Sequence, residues 1–188
     1  MPKNKVQFGV KNVYYSVITE TSSSTTYGTP KAVPGAVSIS FDADGEASDF
    51  YADNIKYYTT VANNGYTGTL EVAKVPEEME TEVFGMTQTT SGLQESVNVE
   101  PKLVVLMVQF EGDQTPELYQ FYRVRLQRPN ITSSTITETK EPQTASLSLT
   151  AMPSLDSGNN ISGKTFIRST SSTPDATRTA WFNSVLFA

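Results

Sequence analysis

Cysteine and histidine are both absent from the 188 residues. Without them there is no disulfide, thiolate nucleophile, Cys/His zinc site or imidazole base, and most enzyme chemistries are excluded at the outset. Basic residues are scarce, 14 against 20 acidic ones, for a formal charge of −6. That balance argues against a protein whose main task is gripping nucleic acid through counterion release. Long apolar runs are missing as well. The longest, Leu103 to Val108, has six residues, where a membrane-spanning helix needs about 20. The opening MPKNKVQFG lacks the apolar core of a signal peptide. These absences predict a single soluble domain over 1–188, made in the cytoplasm, with no membrane contact, metal or cofactor.

Ser and Thr, by contrast, supply roughly a quarter of the chain, beside nine Tyr and nine Phe, a composition that favours strands and loops. Alternation with period two dominates. Val37, Ile39 and Phe41 alternate with Ser38, Ser40 and Asp42, and Leu147, Leu149 and Ala151 with Ser146, Ser148 and Thr150. Such segments bury one face and wet the other. Weaker alternation spans Tyr14–Ile18, Ile55–Val61, Tyr66–Val72 and Val97–Val99. Leu103–Phe110 is apolar on both faces and reads as a central strand; Leu118–Gln127 follows after a turn at Gly112-Asp113 and Thr115-Pro116. The fold class is mainly β, a sandwich or barrel with one or two short flanking helices and long loops.

One helix is expected where Pro76 precedes Glu77, Glu78 and Glu80, with Val75, Met79 and Val83 as its apolar stripe and Gly85 as its stop. A second candidate, 175–186, carries Trp181, Phe182, Val185 and Leu186 and reads equally as a terminal strand. Three Ser/Thr-rich stretches, Thr19–Thr29, Thr132–Thr139 and Ser169–Thr173, are too polar to order alone. They read as mobile loops or as segments that order against a neighbouring subunit.

Gly158 to Thr165 (GNNISGKT) fits the phosphate-loop pattern, but Phe166-Ile167-Arg168, a Ser/Thr run and Pro174 make a poor following helix. A turn between strands explains both glycines. Asp42, Asp44 and Glu46, with Asp49 and Asp53, suggest a calcium loop, yet the required Gly falls on Ala47 in one register and the last ligand on Tyr51 in the other. Asp44-Gly45 reads instead as the tip of a β-hairpin that projects an acidic end with Phe50 and Tyr51 as one unit. Strict alternation puts Arg123 and Arg125 on one strand face with Tyr119 and Phe121, near Arg128. The arrangement is read as an inter-subunit patch meeting carboxylates of another copy, or as an ordinary exposed face. The sequons at Asn130 and Asn160 carry no meaning without an export signal. No carboxylate pair stands out as a glycosidase centre; no enzyme is expected.

Read as a whole, the chain resembles the major tail proteins, or tail tube proteins, of long-tailed non-contractile bacteriophages of Gram-positive hosts. The resemblance rests on Phe8–Tyr15 (FGVKNVYY), Ile39–Glu46 (ISFDADGE), Tyr51–Asn54, Gly65–Glu71 (GYTGTLE), Pro76-Glu77-Glu78 and Thr179–Phe182 (TAWF). It implies six-copy rings stacked into a hollow tube for the genome, in the virion tail, with a tape-measure protein and tail-end proteins as further partners. By position, 19–34 and 42–54 match the extended segments that clasp the next ring. The inter-subunit candidates are then Asp42, Asp44, Glu46, Phe50, Tyr51, Arg123 and Arg125. Six copies at −6 each would give a ring at −36, a bore that repels DNA phosphate so that the genome passes without specific binding. Glu71, Glu77 and Glu78 are the candidates for that bore charge. The rival readings are a carbohydrate-binding β-sandwich or adhesin module, and another phage structural role such as a decoration or tail-terminator protein.

Overall fold

The structure, a computed structural model, describes residues 4–21, 24–133, 135 and 142–187. Most of the loop expected at Thr132–Thr139 and part of that at Thr19–Thr29 lie outside the described residues. The chain runs β1 (Gln7–Glu20), β2 (Thr25–Tyr27), β3 (Lys31–Val33), β4 (Ala36–Asp44), β5 (Ala47–Ala52), β6 (Ile55–Val61) and β7 (Gly65–Val72). Helix α1 (Glu77–Glu82) and the small hairpin β8 (Thr87–Thr89) with β9 (Gly92–Gln94) come next. Then follow β10 (Leu103–Gly112), β11 (Glu117–Leu126), β12 (Ala145–Ala151), β13 (Phe166–Arg168) and α2 (Asp175–Ala180). One antiparallel sheet in the order β2-β1-β10-β11-β12-β7-β4 carries the body, with β3 added on β1 and β13 on β11. It is sandwich-like and not a closed barrel.

Strand β10 lies at the centre because both of its faces are apolar. Val104, Leu106 and Val108 enter the main core, with Val13, Leu70, Val124 and Leu147. Leu103, Val105 and Met107 enter a second cluster with Ile18 and Val185. Each such side chain stabilises the fold by about 1.5–3 kcal/mol when fully buried. Leu147, Leu149 and Ala151 are buried while Ser146 and Ser148 are exposed, as their alternation requires. Helix α1 sits on the main core through Val75, Met79 and Val83, and Gly85 ends it at φ +68.

Three expectations fail for local reasons. Val37 is 51% exposed, because a bulge between Ala36 and Ser38 rotates it off the face of Ile39 and Phe41. Val97 and Val99 lie in a loop, not a strand. The second helix stops at Ala180; beyond it the chain turns so that Trp181 and Val185 are buried without continuing the helix.

Candidate assembly surface

The hairpin tip is not at Asp44-Gly45. The β4–β7 ladder runs on through Asn64 N–H to the Asp44 carbonyl (2.8 Å) and Ala62 N–H to the Glu46 carbonyl (2.9 Å), and then becomes the β5–β6 pair. Gly45 lies at this junction because a Cβ there would stand 2.1 Å from the Ala62 carbonyl oxygen. The reversal comes nine residues later, at Asp53 (φ 53) and Asn54 (φ 62), two left-handed residues as a two-residue type I′ turn requires. The Asp-Gly pair was a false turn signal; Asp53-Asn54 was the true one. The result is an arm, 47–61, that extends the sheet beyond the body.

Every residue of β6, and every residue of β5 except Ala52, is exposed. Phe50 (61%), Tyr51 (63%), Ile55 (61%), Tyr57 (71%), Tyr58 (61%) and Val61 (76%) have no covering layer. The register sorts them. Phe50 opposes Tyr58 and Ala52 opposes Ile55 on one apolar face. A bulge in β6 separates the Phe50–Tyr58 pair from the Tyr51–Lys56 pair, so Lys56 reaches the other face and meets the Asp49 carboxylate at 2.8 Å. Thr59 donates to the same carboxylate, also at 2.8 Å. Phe50 and Tyr51 therefore project from opposite faces, not as one unit. Asp42, Asp44 and Glu46 form an exposed acidic collar where the arm leaves the body, and no ion pair engages them among the described residues.

The arginine strand departs from the expected pattern. Between Val104/Val124 and Leu106/Phe121, β11 carries one extra residue, a bulge that inverts its alternation. Phe121 joins Val124 and Leu126 in the core. Arg123 and Arg125 consequently lie on the opposite face from Tyr119 and Phe121. Arg123 grips Glu20 through Nε (2.8 Å) and Nη2 (3.0 Å), and its guanidinium holds that carboxyl below its ordinary range. Arg125 reaches Glu100 at 3.4 Å and Arg128 pairs with Glu95. All three guanidinium groups thus have carboxylate partners within the chain. Arg125 and Glu100 are the more exposed pair, 42% and 87%, against 18% and 29% for Arg123 and Glu20.

The carboxylates proposed for a bore sit on two elements. Glu71, on β7, accepts from Thr144 Oγ1 (2.5 Å) and Ser38 Oγ (2.9 Å), and those hydroxyls lower its pKa. Glu78, on α1, pairs with Lys31 at 2.7 Å, as Glu82 does at 2.6 Å. Glu77 is exposed. Gly158–Thr165 forms a loop followed by strand β13, not by the helix that phosphate binding needs.

Sequence reasoning missed Asp156, which organises that loop. It accepts from the backbone of Gly158 (2.9 Å), from the Asn159 side chain (2.7 Å) and from Tyr27 Oη (2.8 Å). Burial opposes its charge, yet the Asn159 and Tyr27 donors keep its carboxyl below the ordinary range. Among the described residues no group of three or more Asp and Glu is placed to hold a metal ion.

The comparison with protein families decides what this surface belongs to. A family model described as phage tail tube protein matches residues 2–154. The chain belongs to the phage tail tube proteins. A search of the curated proteins finds no match. A tail tube protein is a component of the virion tail and builds a tube from copies of itself, so the exposed arm is a surface on a structural subunit. In this tail tube subunit the matched region ends at Ser154, while β13, α2 and the buried Trp181 come after it and complete the body.

Proposed function

We propose that this tail tube subunit forms hexameric rings that stack into a conduit for genome DNA, with no catalytic role. The observation that carries the reading is the arm: a two-stranded ribbon with six large apolar side chains, each more than 60% exposed. A lone two-stranded hairpin is marginally stable in water, and contiguous apolar surface of this kind marks an interaction site. A neighbouring subunit supplies the missing layer. The acidic balance suits the conduit. A bore of like charge does not bind phosphate; Glu71, kept ionised by its two hydroxyl donors, is a candidate to face it, with Glu77 and Glu78. A tape-measure protein and tail-end proteins are the further partners of such a tube, assembled in the host cytoplasm.

Negative-stain electron microscopy of concentrated protein tests the reading. Rings or tubes with a central hole are expected. Phe50→Ala with Tyr58→Ala should abolish them while circular dichroism and melting temperature stay those of the parent, because neither ring supports the body. Monomers under all concentrations and seeding conditions would defeat the proposal.

A further inference from the structure

If one subunit offers an arm, another must offer a receptor, and the receptor has a recognisable place in the fold. Strands β2 and β4 are the two ends of the sheet order. The arm continues the β4 end. At the β2 end, a groove of about 500 Å³ opens between Thr25–Pro30 and Asn183–Phe187. Its apolar floor is Tyr27, Pro30, Val185 and Phe187, and the Tyr27 and Phe187 rings lie 5.2 Å apart. Among the described residues no charged side chain lines it, in a chain with 20 acidic residues. A second recess, which shares Thr25 and Asn159 with the groove, is lined by Leu155, 67% exposed, and by Asp156. Among the described residues β2 pairs only with β1, and none of them pairs with its outer edge.

We propose that the apolar face of one subunit's arm, Phe50, Ile55 and Tyr58, docks in this groove of a second copy, along the free edge of β2. The proposal rests on the tail tube reading for the identity of the occupant. Three arguments select the site. A donor at one sheet end and an acceptor at the other make a head-to-tail contact, the only kind that closes into rings or propagates along an axis. An unfilled strand edge beside an apolar groove gives a hairpin both main-chain partners and side-chain pockets. Electrostatics agree. Two copies at −6 repel each other, and contact is favoured where charge is sparse. The arm's Lys56 and Asp49 neutralise each other on the face turned away from the groove, and the groove lining carries none.

The absence of native cysteine makes a clean test. Thr60→Cys, beside Tyr58 on the same face of the arm, and Ser184→Cys, in the groove lining, leave every docking ring in place. The two proteins are mixed in equal amounts under assembling conditions and treated with a short bismaleimide linker. The crosslinked heterodimer is then quantified and its peptides identified by mass spectrometry. A Thr60→Cys and Val97→Cys mixture, whose second site is 89% exposed and outside the groove lining, is the control. Thr29→Cys, also in the lining, replaces Ser184→Cys if the latter does not fold. The 60–184 or 60–29 product should exceed the control about tenfold, as docking raises the local thiol concentration. Rings or tubes in the microscope without that enrichment overturn the groove assignment and leave the tail tube reading intact. No assembly by the parent chain under any condition defeats both.

Discussion

Phe41 and Phe121 stack across the core with ring centroids 3.9 Å apart and planes 14° apart. They belong to strands separated by two others in the sheet order, β4 and β11. Their contact therefore records how far the sheet curls over itself. Phe121→Ala should cost about 3–5 kcal/mol, because the ring is 3% exposed and the vacated space has β4 on its far side. Urea denaturation checks it; a loss under 1 kcal/mol would mean the two halves of the sheet do not depend on this stack.

Tyr122 is 1% exposed and its hydroxyl has no hydrogen-bond partner among the described residues. Leaving such a group unpaired costs about 1–3 kcal/mol, so Tyr122→Phe should stabilise the subunit by about 1 kcal/mol. Burial also pushes its pKa up to about 12, from an ordinary 10.0. From pH 10.0 upward the unfolded chain loses this proton while the folded chain keeps it. Stability should fall as pH rises through that window, and the variant should show a shallower decline. Some decline remains from Tyr15, whose pKa also rises to about 12 through burial and Glu82.

The Glu20–Arg123 pair ties the end of β1 to β11 and should be sensitive to acid. The guanidinium lowers the Glu20 pKa below its ordinary 4.5. Its contribution is fully present above pH 4.5 and is lost as pH falls through the folded-state value. Glu20→Gln should cost about 1 kcal/mol at neutral pH and flatten the acid limb of the stability curve. Thermal melts from pH 7 down to 3 measure both, and an unchanged acid limb would show that other carboxylates dominate it.

Gln120 is fully buried and bonds both main-chain groups of Leu186, accepting from its N–H (3.0 Å) and donating to its carbonyl (2.8 Å). It acts as a strand edge one residue long. Gln120→Leu leaves both groups unpaired and should cost about 1–3 kcal/mol. Amide exchange at Leu186 should rise with it, since among the described residues Gln120 alone accepts from that N–H. Exchange equal to the parent would assign the C-terminal segment's anchorage to Trp181 and Val185 alone.

The body was legible where burial follows simple periodicity. Leu147, Leu149 and Ala151 show it, as does the apolar run at Leu103 that seats β10 between two cores. The stripe Val75, Met79 and Val83 located α1. What was illegible came from single inserted residues. The bulges at Val37 and in β11 each reverse which face a side chain takes, and nothing in composition marks them. The Arg123 and Arg125 face was therefore assigned to the wrong neighbours, and their carboxylates, Glu20 and Glu100, are remote in sequence. The arm was half legible. Phe50 and Tyr51 were expected to project, but Asp44-Gly45 outweighed Asp53-Asn54 as a turn signal, so the partner strand with Tyr57 and Tyr58 went unrecognised as part of the same surface.

The two hydrogen bonds that join the arm to the β4–β7 pair have a mechanical consequence. A load applied at Asp53-Asn54 draws β4 and β7 together as one unit. The boundary that must yield is β7 against β12, paired from Val72/Ala145 to Tyr66/Ala151. That boundary is loaded lengthwise, so its hydrogen bonds resist in parallel and do not open one at a time. Force passed into a subunit through its arm would therefore meet the sheet along the direction in which it is hardest to tear.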